Sequence, residues 1–371
     1  MTKTAIDKPL YLDIHSLIKV SSLPMPDEIS RYTREKLSLF LTNAPITEGE
    51  SDIVISKIEP HYSFGWTDYH FNLEYGFRIT EYKGETAVIF AHRARPDVVV
   101  ILSDPIRIFY VERQGISDKL YDALVFCLQI TLFKRGGLFF HGAVAKREGS
   151  TVLLAGPFGS KKSMLLLTML RDNWNFISDD KFILHGGNAY MLNPIIMLRD
   201  YYLEFLPWLE DIVPDVEKFK KAEAYRALIR KFAVRHLPAS FFPLLRKFYD
   251  PFVPVNINVS ALFPAFKTIM SARISVVVLL SAGPELKVTE VPRSDILEDL
   301  AAVQRLINYE ELRFSLLKEQ LFLQEKTFRC TIDDIIDGNF NDQVFFKLTL
   351  PINCDMNLAY LELNRCLVQA H

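Results

Sequence analysis

Four features of this sequence could handle phosphate: a glycine-bounded loop, adjacent lysines followed by a hydroxyl, a pair of aspartates, and a histidine upstream of them all. The loop reads "GPFGSKKSM": Gly156, Pro157, Phe158, Gly159, Ser160, Lys161, Lys162, Ser163 and Met164. A phosphate loop has the pattern G-x-x-x-x-G-K-[ST]. The chain meets it at Gly156, Lys162 and Ser163 and carries Lys161 where the second glycine belongs. In such a loop, backbone N–H groups converge on a phosphate at the positive end of the next helix. The lysine reaches the outer phosphates and the hydroxyl binds magnesium. A non-glycine residue held at positive φ costs roughly 1–2 kcal/mol, which a folded domain absorbs. The plainer alternative is an ordinary turn before a basic helix start. Two lysines in a first turn oppose the helix dipole, however, and so point to an anion.

Asp179 and Asp180 close the run "WNFISDD". Carboxylates at the end of a strand beside a phosphate loop can hold magnesium or accept a hydroxyl proton. By themselves they could equally open a turn. His141, in "FFHGA", ends an apolar run beside a glycine, and a lone histidine there is more often structural.

The elements that must position these residues follow from periodicity. "TVLLA" before the loop reads as a buried strand and "MLLLTML" after it as a helix, the context a phosphate loop requires. "LFFHGAVAKREGSTVLLAG" reads as two strands joined by the turn "KREGS", and "NFIS" as a short strand, so that strand, loop, helix, strand and acidic pair form one βαβ unit. Upstream, "DIVISKI", "HFNLEYGFRITEY", "ETAVIFAH", "DVVVILS" and "IRIFYVE" are β-rich runs between turn residues. "DEISRYTREKLSLFL" has helical spacing, as does "SDKLYDALVFCLQITLFKRGG", which starts on a Ser-Asp cap and stops at Gly-Gly. Downstream, "RISVVVLLSA" reads as a buried strand, "ELKVTEV" as its hairpin partner, and residues 294–324 as an interrupted helix. Helices and loops are expected between Trp208 and Pro264.

At 371 residues, 49% apolar and 24% charged, the chain can bury a core and divide into two or three units. The expected division is a mostly β module over residues 1–115, a core over 116–293 and a helical extension over 294–371. The net charge of −2 excludes a global attraction to nucleic acid or anionic membrane, so any phosphate chemistry is local. Cys127, Cys330, Cys354 and Cys366 form no C-x-x-C pair, giving neither a zinc pattern nor a disulfide framework. The longest apolar runs are near half the ~20 residues that cross a bilayer, and the amino terminus lacks an apolar leader core. A soluble protein of the reducing cytoplasm is expected.

Residues 138–184, "LFFHGAVAKREGSTVLLAGPFGSKKSMLLLTMLRDNWNFISDDKFIL", resemble the core of the HPr serine kinase/phosphorylase superfamily, in particular HPr-kinase-like serine kinases associated with peptide-modification gene clusters. The shared order is a helix, a His-Gly strand, a second strand, the loop, a helix and Ser-Asp-Asp. The resemblance implies an α/β kinase core of the phosphoenolpyruvate-carboxykinase-like type, with ATP and Mg2+ as cofactors and a peptide or protein hydroxyl as acceptor. It implies that Lys162 and Ser163 hold phosphates and metal, that one aspartate of the pair is the base and the other a metal ligand, roles assigned here to Asp179 and Asp180 in that order, and that His141 lies beside the transferred phosphate. Glu204, in "YYLEFLPW", stands as a second metal ligand. The chain lacks the L-E-I-R-G-x-G segment and the P-G-R-N lid of the HPr enzymes, and "VNINVS" does not replace that lid. HPr itself and phosphorolysis are therefore not expected. Arg199 and Arg273 are candidate charge stabilisers by position, with surface ion pairing as their plainer role. A nucleotide-binding scaffold without turnover and a small-molecule kinase are the competing functions. Homo-oligomerisation is left open.

Overall fold

The structure is a computed structural model and describes residues 8–58, 71–72, 77–92, 95–113, 115–199, 201–214, 216–217, 255–264, 267–306 and 331–369. Most of the expected helices and loops after Trp208, the second half of the helix expected over 294–324, and Cys330 lie outside these residues. No described helix is long and apolar enough to cross a membrane.

The chain forms two compact units, dividing after Leu138. The first holds β1 (Tyr11–Ile14), β2 (Ile18–Ser22), α1 (Asp27–Lys36), β3 (Ile53–Lys57), β4 (Phe71–Asn72), β5 (Phe77–Tyr82), β6 (Glu85–His92), β7 (Arg95–Ile101), β8 (Ile106–Tyr110) and α2 (Ile116–Lys134). Its strands make one eight-stranded sheet in the order β1-β2-β3-β8-β7-β6-β5-β4. The pairs β2/β3 and β3/β8 are parallel and the others antiparallel. The run of fully buried valines, Val98, Val99 and Val100, marks β7 as covered on both faces, and α2 packs on β7 and β8.

The helix α2 stops as the Gly-Gly pair implies. Gly136 stands at φ 74°, its N–H donates to Phe133 O, and the Gly137 N–H donates to Leu132 O, which together satisfy the last carbonyls. Its start differs from expectation. The N-cap is Gly115, without a side-chain cap, and Ser117 Oγ donates to Glu28 O instead.

The second unit carries the phosphate-type loop. It holds β9 (Leu138–His141), β10 (Ala143–Arg147), β11 (Ser150–Ala155), α3 (Lys162–Arg171), β12 (Asn175–Ser178), β13 (Lys181–His185), β14 (Asn188–Met191), β15 (Ile195–Leu198), α4 (Tyr202–Phe205), β16 (Val255–Asn258), α5 (Val259–Leu262), β17 (Ser271–Arg273), β18 (Val276–Ala282), β19 (Lys287–Glu290), α6 (Ser294–Leu306), α7 (Ile332–Asn339), β20 (Val344–Leu350) and α8 (Met356–Gln369). A six-stranded sheet runs β12-β10-β11-β18-β20-β19, a four-stranded sheet runs β17-β14-β13-β9, and β15 pairs with β16. The molecule is thus mixed α/β. Strands β11, β18 and β20 are mutually parallel, and the first is buried along its whole length.

Three sequence readings change here. "LFFHGAVAKREGSTVLLAG" is three strands, because Gly142 breaks the first run and sends β9 to the four-stranded sheet and β10 to the six-stranded one. A Cβ at Gly142 would stand 2.8 Å from Leu153 Cδ1 and 2.9 Å from Leu154 O, so the backbone passes where only glycine fits. The strand "NFIS" does run parallel to β11, but β10 lies between them as the antiparallel neighbour of both. "ELKVTEV" does not form a hairpin with β18, since β20 inserts between β18 and β19 and pairs with each. Residues 332–369 accordingly supply a core strand between two helices, and α2 groups with the first unit.

Candidate active site

The site is built at the carboxyl end of β11, where the chain leaves the sheet through Gly156 and enters α3. Gly156 has φ 150°, and a Cβ there would lie 2.7 Å from Leu280 O and 2.8 Å from Ser160 Oγ. The loop therefore hugs the end of β18, with Pro157, Phe158, Gly159 and Ser160 arching over it. The Ser160 N–H closes a turn on Pro157 O at 3.2 Å. The first N–H groups of a helix lack intrahelical partners, and in α3, where Leu165 makes the first helical bond to Lys161 O, these are the groups of Lys162, Ser163 and Met164, next to this arch. Met164 contributes only backbone, because its side chain is in the core.

Lys161 keeps the glycine's backbone shape. It is the N-cap of α3 at φ 68°, ψ 20°, in the left-handed region where the pattern calls for glycine. Its side chain leaves the loop altogether. Nζ donates to Pro351 O at 3.2 Å and to Ile352 O, and stands 4.6 Å over the Phe205 ring. Burial lowers its pKa, with Cys354 acting the other way.

Lys162 turns inward. Nζ donates to Gly156 O at 2.8 Å and Pro157 O at 3.1 Å, and burial pulls its pKa down to about 8 against the opposing charges of Asp179 and Asp180. Ser163 Oγ donates to Asp179 Oδ1 at 2.7 Å. Asp179 is almost wholly buried, and burial raises its carboxyl to about 6, although hydrogen bonds from Ser163 and from the Met197 backbone favour the charged form.

Asp180 adopts φ 75°, and its half-exposed carboxylate lies 3.1 Å from His141 Nδ1. Burial raises its pKa, but the His141 imidazole, Lys181 and Lys162 outweigh that, and the net shift is downward. The Asp180–His141 contact is an ion-pair distance without hydrogen-bond alignment, which leaves the buried Nδ1 unsatisfied. The histidine is held from its backbone: its N–H donates to Gln304 Oε1 at 3.0 Å, and Gln304 Nε2 donates to Phe139 O at 2.9 Å. Two aspartates one residue apart thus face different partners, one a hydroxyl and the other an imidazole.

A further wall comes from Met197, Arg199 and Tyr202. Besides the Met197 N–H on Asp179, the buried Tyr202 hydroxyl hydrogen-bonds with Ser163, and burial together with the Asp179 charge raises its pKa. Arg199 Cζ sits 5.1 Å over the Phe158 ring at the tip of the loop. Nothing in the sequence spacing marks Met197 or Tyr202, because only the tertiary path of β15 and α4 brings them to Ser163. Glu204 is exposed on α4, and Arg273 pairs with Asp342 at 3.0 Å on the surface. Among the described residues, no group of three or more His, Cys, Asp or Glu side chains could hold a metal ion.

The fold and the site together define a mixed α/β protein in which a strand–loop–helix arch stands beside a buried carboxylate. No family model and no curated protein matches the chain. Among solved structures, the Hpr(Ser) kinase/phosphatase from Coxiella burnetii is similar over 63% of this chain and 99% of its own, at 10% identity and a TM-score of 0.26.

Proposed function

We propose that the chain is an ATP-dependent phosphotransferase that moves a γ-phosphoryl group to a serine or threonine hydroxyl of a peptide or protein. The observation that carries this reading is the pair Ser163 Oγ–Asp179 Oδ1 at 2.7 Å, placed beside the buried Lys162 ammonium at the mouth of a helix. The residues fit a nucleotide phosphate: the loop is too tight at Gly156 for any side chain, Lys162 has no carboxylate partner within hydrogen-bond reach among the described residues, and the first amides of α3 lie outside the helix's own ladder beside the loop. A magnesium ion would be held by Ser163 and Asp180, its remaining positions filled by phosphate oxygens and water, while Glu204 is exposed on α4. Bound ATP-Mg2+ supplies the phosphoryl group and the metal's charge neutralisation.

The chain's own residues do the rest. Lys162 exchanges its loop carbonyls for phosphate oxygens. Asp179 takes the acceptor's proton as the acceptor oxygen bonds to the γ phosphorus and the bond to the bridging oxygen breaks. Tyr202 and the Met197 N–H hold Ser163 and Asp179 in register. Catalysis of this kind comes from positioning and charge stabilisation.

The test is calorimetric titration with ATP-Mg2+, followed by transfer from γ-labelled ATP to candidate peptides. Binding that Lys162→Ala abolishes is expected, together with labelling that falls by on the order of 10²–10⁴-fold in Asp179→Asn while binding persists. Absence of binding in the intact chain defeats the proposal. Binding without transfer to any peptide or small hydroxyl compound makes the chain a nucleotide-binding scaffold.

A further inference from the structure

Arg199 is the one cation at the loop tip whose partners do not account for it. Arg147, Arg273 and Arg293 in the same unit each pair with an aspartate. Arg199 has instead the face of Phe158, at 5.1 Å, and a contact from Nη2 to Met197 Sδ at 3.8 Å. Among the described residues no carboxylate pairs with it. The side chain is only partly exposed, so it gives up hydration without gaining a counter-charge. A cation–π contact of this kind returns about 0.5–1 kcal/mol, and a thioether is a weak acceptor. Among the described residues, four of the guanidinium's five donors have no acceptor.

Its neighbours make the imbalance specific. Phe158, which carries the guanidinium, is itself 72% exposed at the crest of the arch, an unusual place for a large apolar ring unless something covers it. Met197, two residues before Arg199, is tied to the site by its N–H on Asp179, and Tyr202, three residues after it, by its hydroxyl on Ser163. The guanidinium is therefore presented between two anchored residues, against Phe158 of the loop whose interior holds the Lys162 ammonium. A planar fork of donors in that position matches the oxygens of an outer phosphate.

We propose that Arg199, seated on Phe158, is the residue that contacts the terminal phosphate of the bound nucleotide and so makes the site prefer a triphosphate to a diphosphate. This rests on the phosphotransferase reading above and adds to it the residue that senses the phosphoryl group to be transferred. Lys162 and the α3 amides hold the phosphates common to both nucleotides. Arg199 meets only the last one.

The experiment is calorimetric titration of ADP-Mg2+ and of a non-hydrolysable ATP analogue with Mg2+ into the intact chain and into Arg199→Ala, Arg199→Lys and Phe158→Leu. In Arg199→Ala the triphosphate affinity should fall about tenfold or more, the worth of a charge-assisted bond, with the diphosphate affinity within about twofold of the parent. Phe158→Leu should shift the same ratio in the same direction by less. Arg199→Lys keeps the charge but loses the fork, and should fall between the parent and alanine variants; it carries the test if the alanine variant does not fold. An unchanged triphosphate-to-diphosphate ratio in both arginine variants overturns the proposal, as does an equal loss for both ligands, the mark of a merely structural arginine. If the intact chain binds neither nucleotide, the phosphotransferase reading itself fails.

Discussion

At the scale of single residues, the site depends on two groups that burial drives in opposite directions. Asp179 is raised to about 6 and Lys162 is lowered to about 8, so between these values the proposed base is ionised and the proposed phosphate ligand is charged. Transfer should fall about tenfold per pH unit below about 6, as Asp179 takes up a proton. Nucleotide affinity should weaken above about 8, as Lys162 loses one, and titrations at pH 7 and pH 9.5 would read this directly. Stability follows from the same shift. A carboxyl raised in the folded state makes the native protein hold more protons than the unfolded chain between 3.8 and about 6. Stability therefore declines as pH rises through that window and stays lower above it. Asp179→Asn removes the buried charge while Ser163 can still donate to the amide oxygen. It should melt higher than the parent protein at pH 7.5 and nearly level with it at pH 4. A variant melting lower at pH 7.5 would mean that the ionised Asp179 contributes net stability through Ser163 and Met197.

At the scale of elements, the departure from the loop pattern at Lys161 resolves into two separable effects. Its left-handed backbone costs roughly 1 kcal/mol relative to glycine, while its Nζ ties the start of α3 to the carbonyls of Pro351 and Ile352. Lys161→Gly relieves the first and loses the second, whereas Lys161→Ala only loses. The alanine variant should therefore be less stable than the glycine variant by about 1 kcal/mol in denaturant melts. Both should keep nucleotide binding, since the lysine head lies outside the loop. Loss of binding in both would make Lys161 a ligand after all.

The same element shows what could be read from the chain alone. Apolar runs bounded by turn residues locate β6, β8, β11, α2 and α3 closely, because a strand or helix buried along its length leaves a local record. The pairing of those elements leaves none. Nothing near "ELKVTEV" says that β20, more than fifty residues later, will take the place beside β18. Likewise the loop, His141 and the aspartates are legible because their spacing is local, and Met197 and Tyr202 are not, because they reach Ser163 through the fold.

At the scale of the molecule, β20 and α8 close the second unit. Strand β20 lies in its central sheet, and α8 buries Met356, Ala359, Tyr360, Leu363 and Leu367. A polar clasp holds that helix to the end of α3 and the start of β12. The Trp174 Nε1–H donates to Tyr360 Oη at 3.1 Å, Tyr360 Oη donates to Asp172, and Arg147 joins Asp172 at 2.7 Å to Asn364 at 2.8 Å. The Arg147 guanidinium also covers the Trp174 ring at 4.7 Å. Removing α8 by truncation after Pro351 exposes an apolar face whose larger side chains are each worth about 1.5–3 kcal/mol. Against a usual total of about 5–15 kcal/mol, that loss should abolish the cooperative melting of this unit, and nucleotide binding with it. Tyr360→Phe separates the clasp from the packing. It leaves the ring in place but deprives the buried Trp174 N–H of its acceptor, a cost of about 1–3 kcal/mol, so the melting midpoint should drop while binding at 20 °C is retained. A truncated chain that still melts cooperatively and still binds nucleotide would show that β20 and the earlier strands suffice, and that α8 is an addition to the unit rather than a wall of its core.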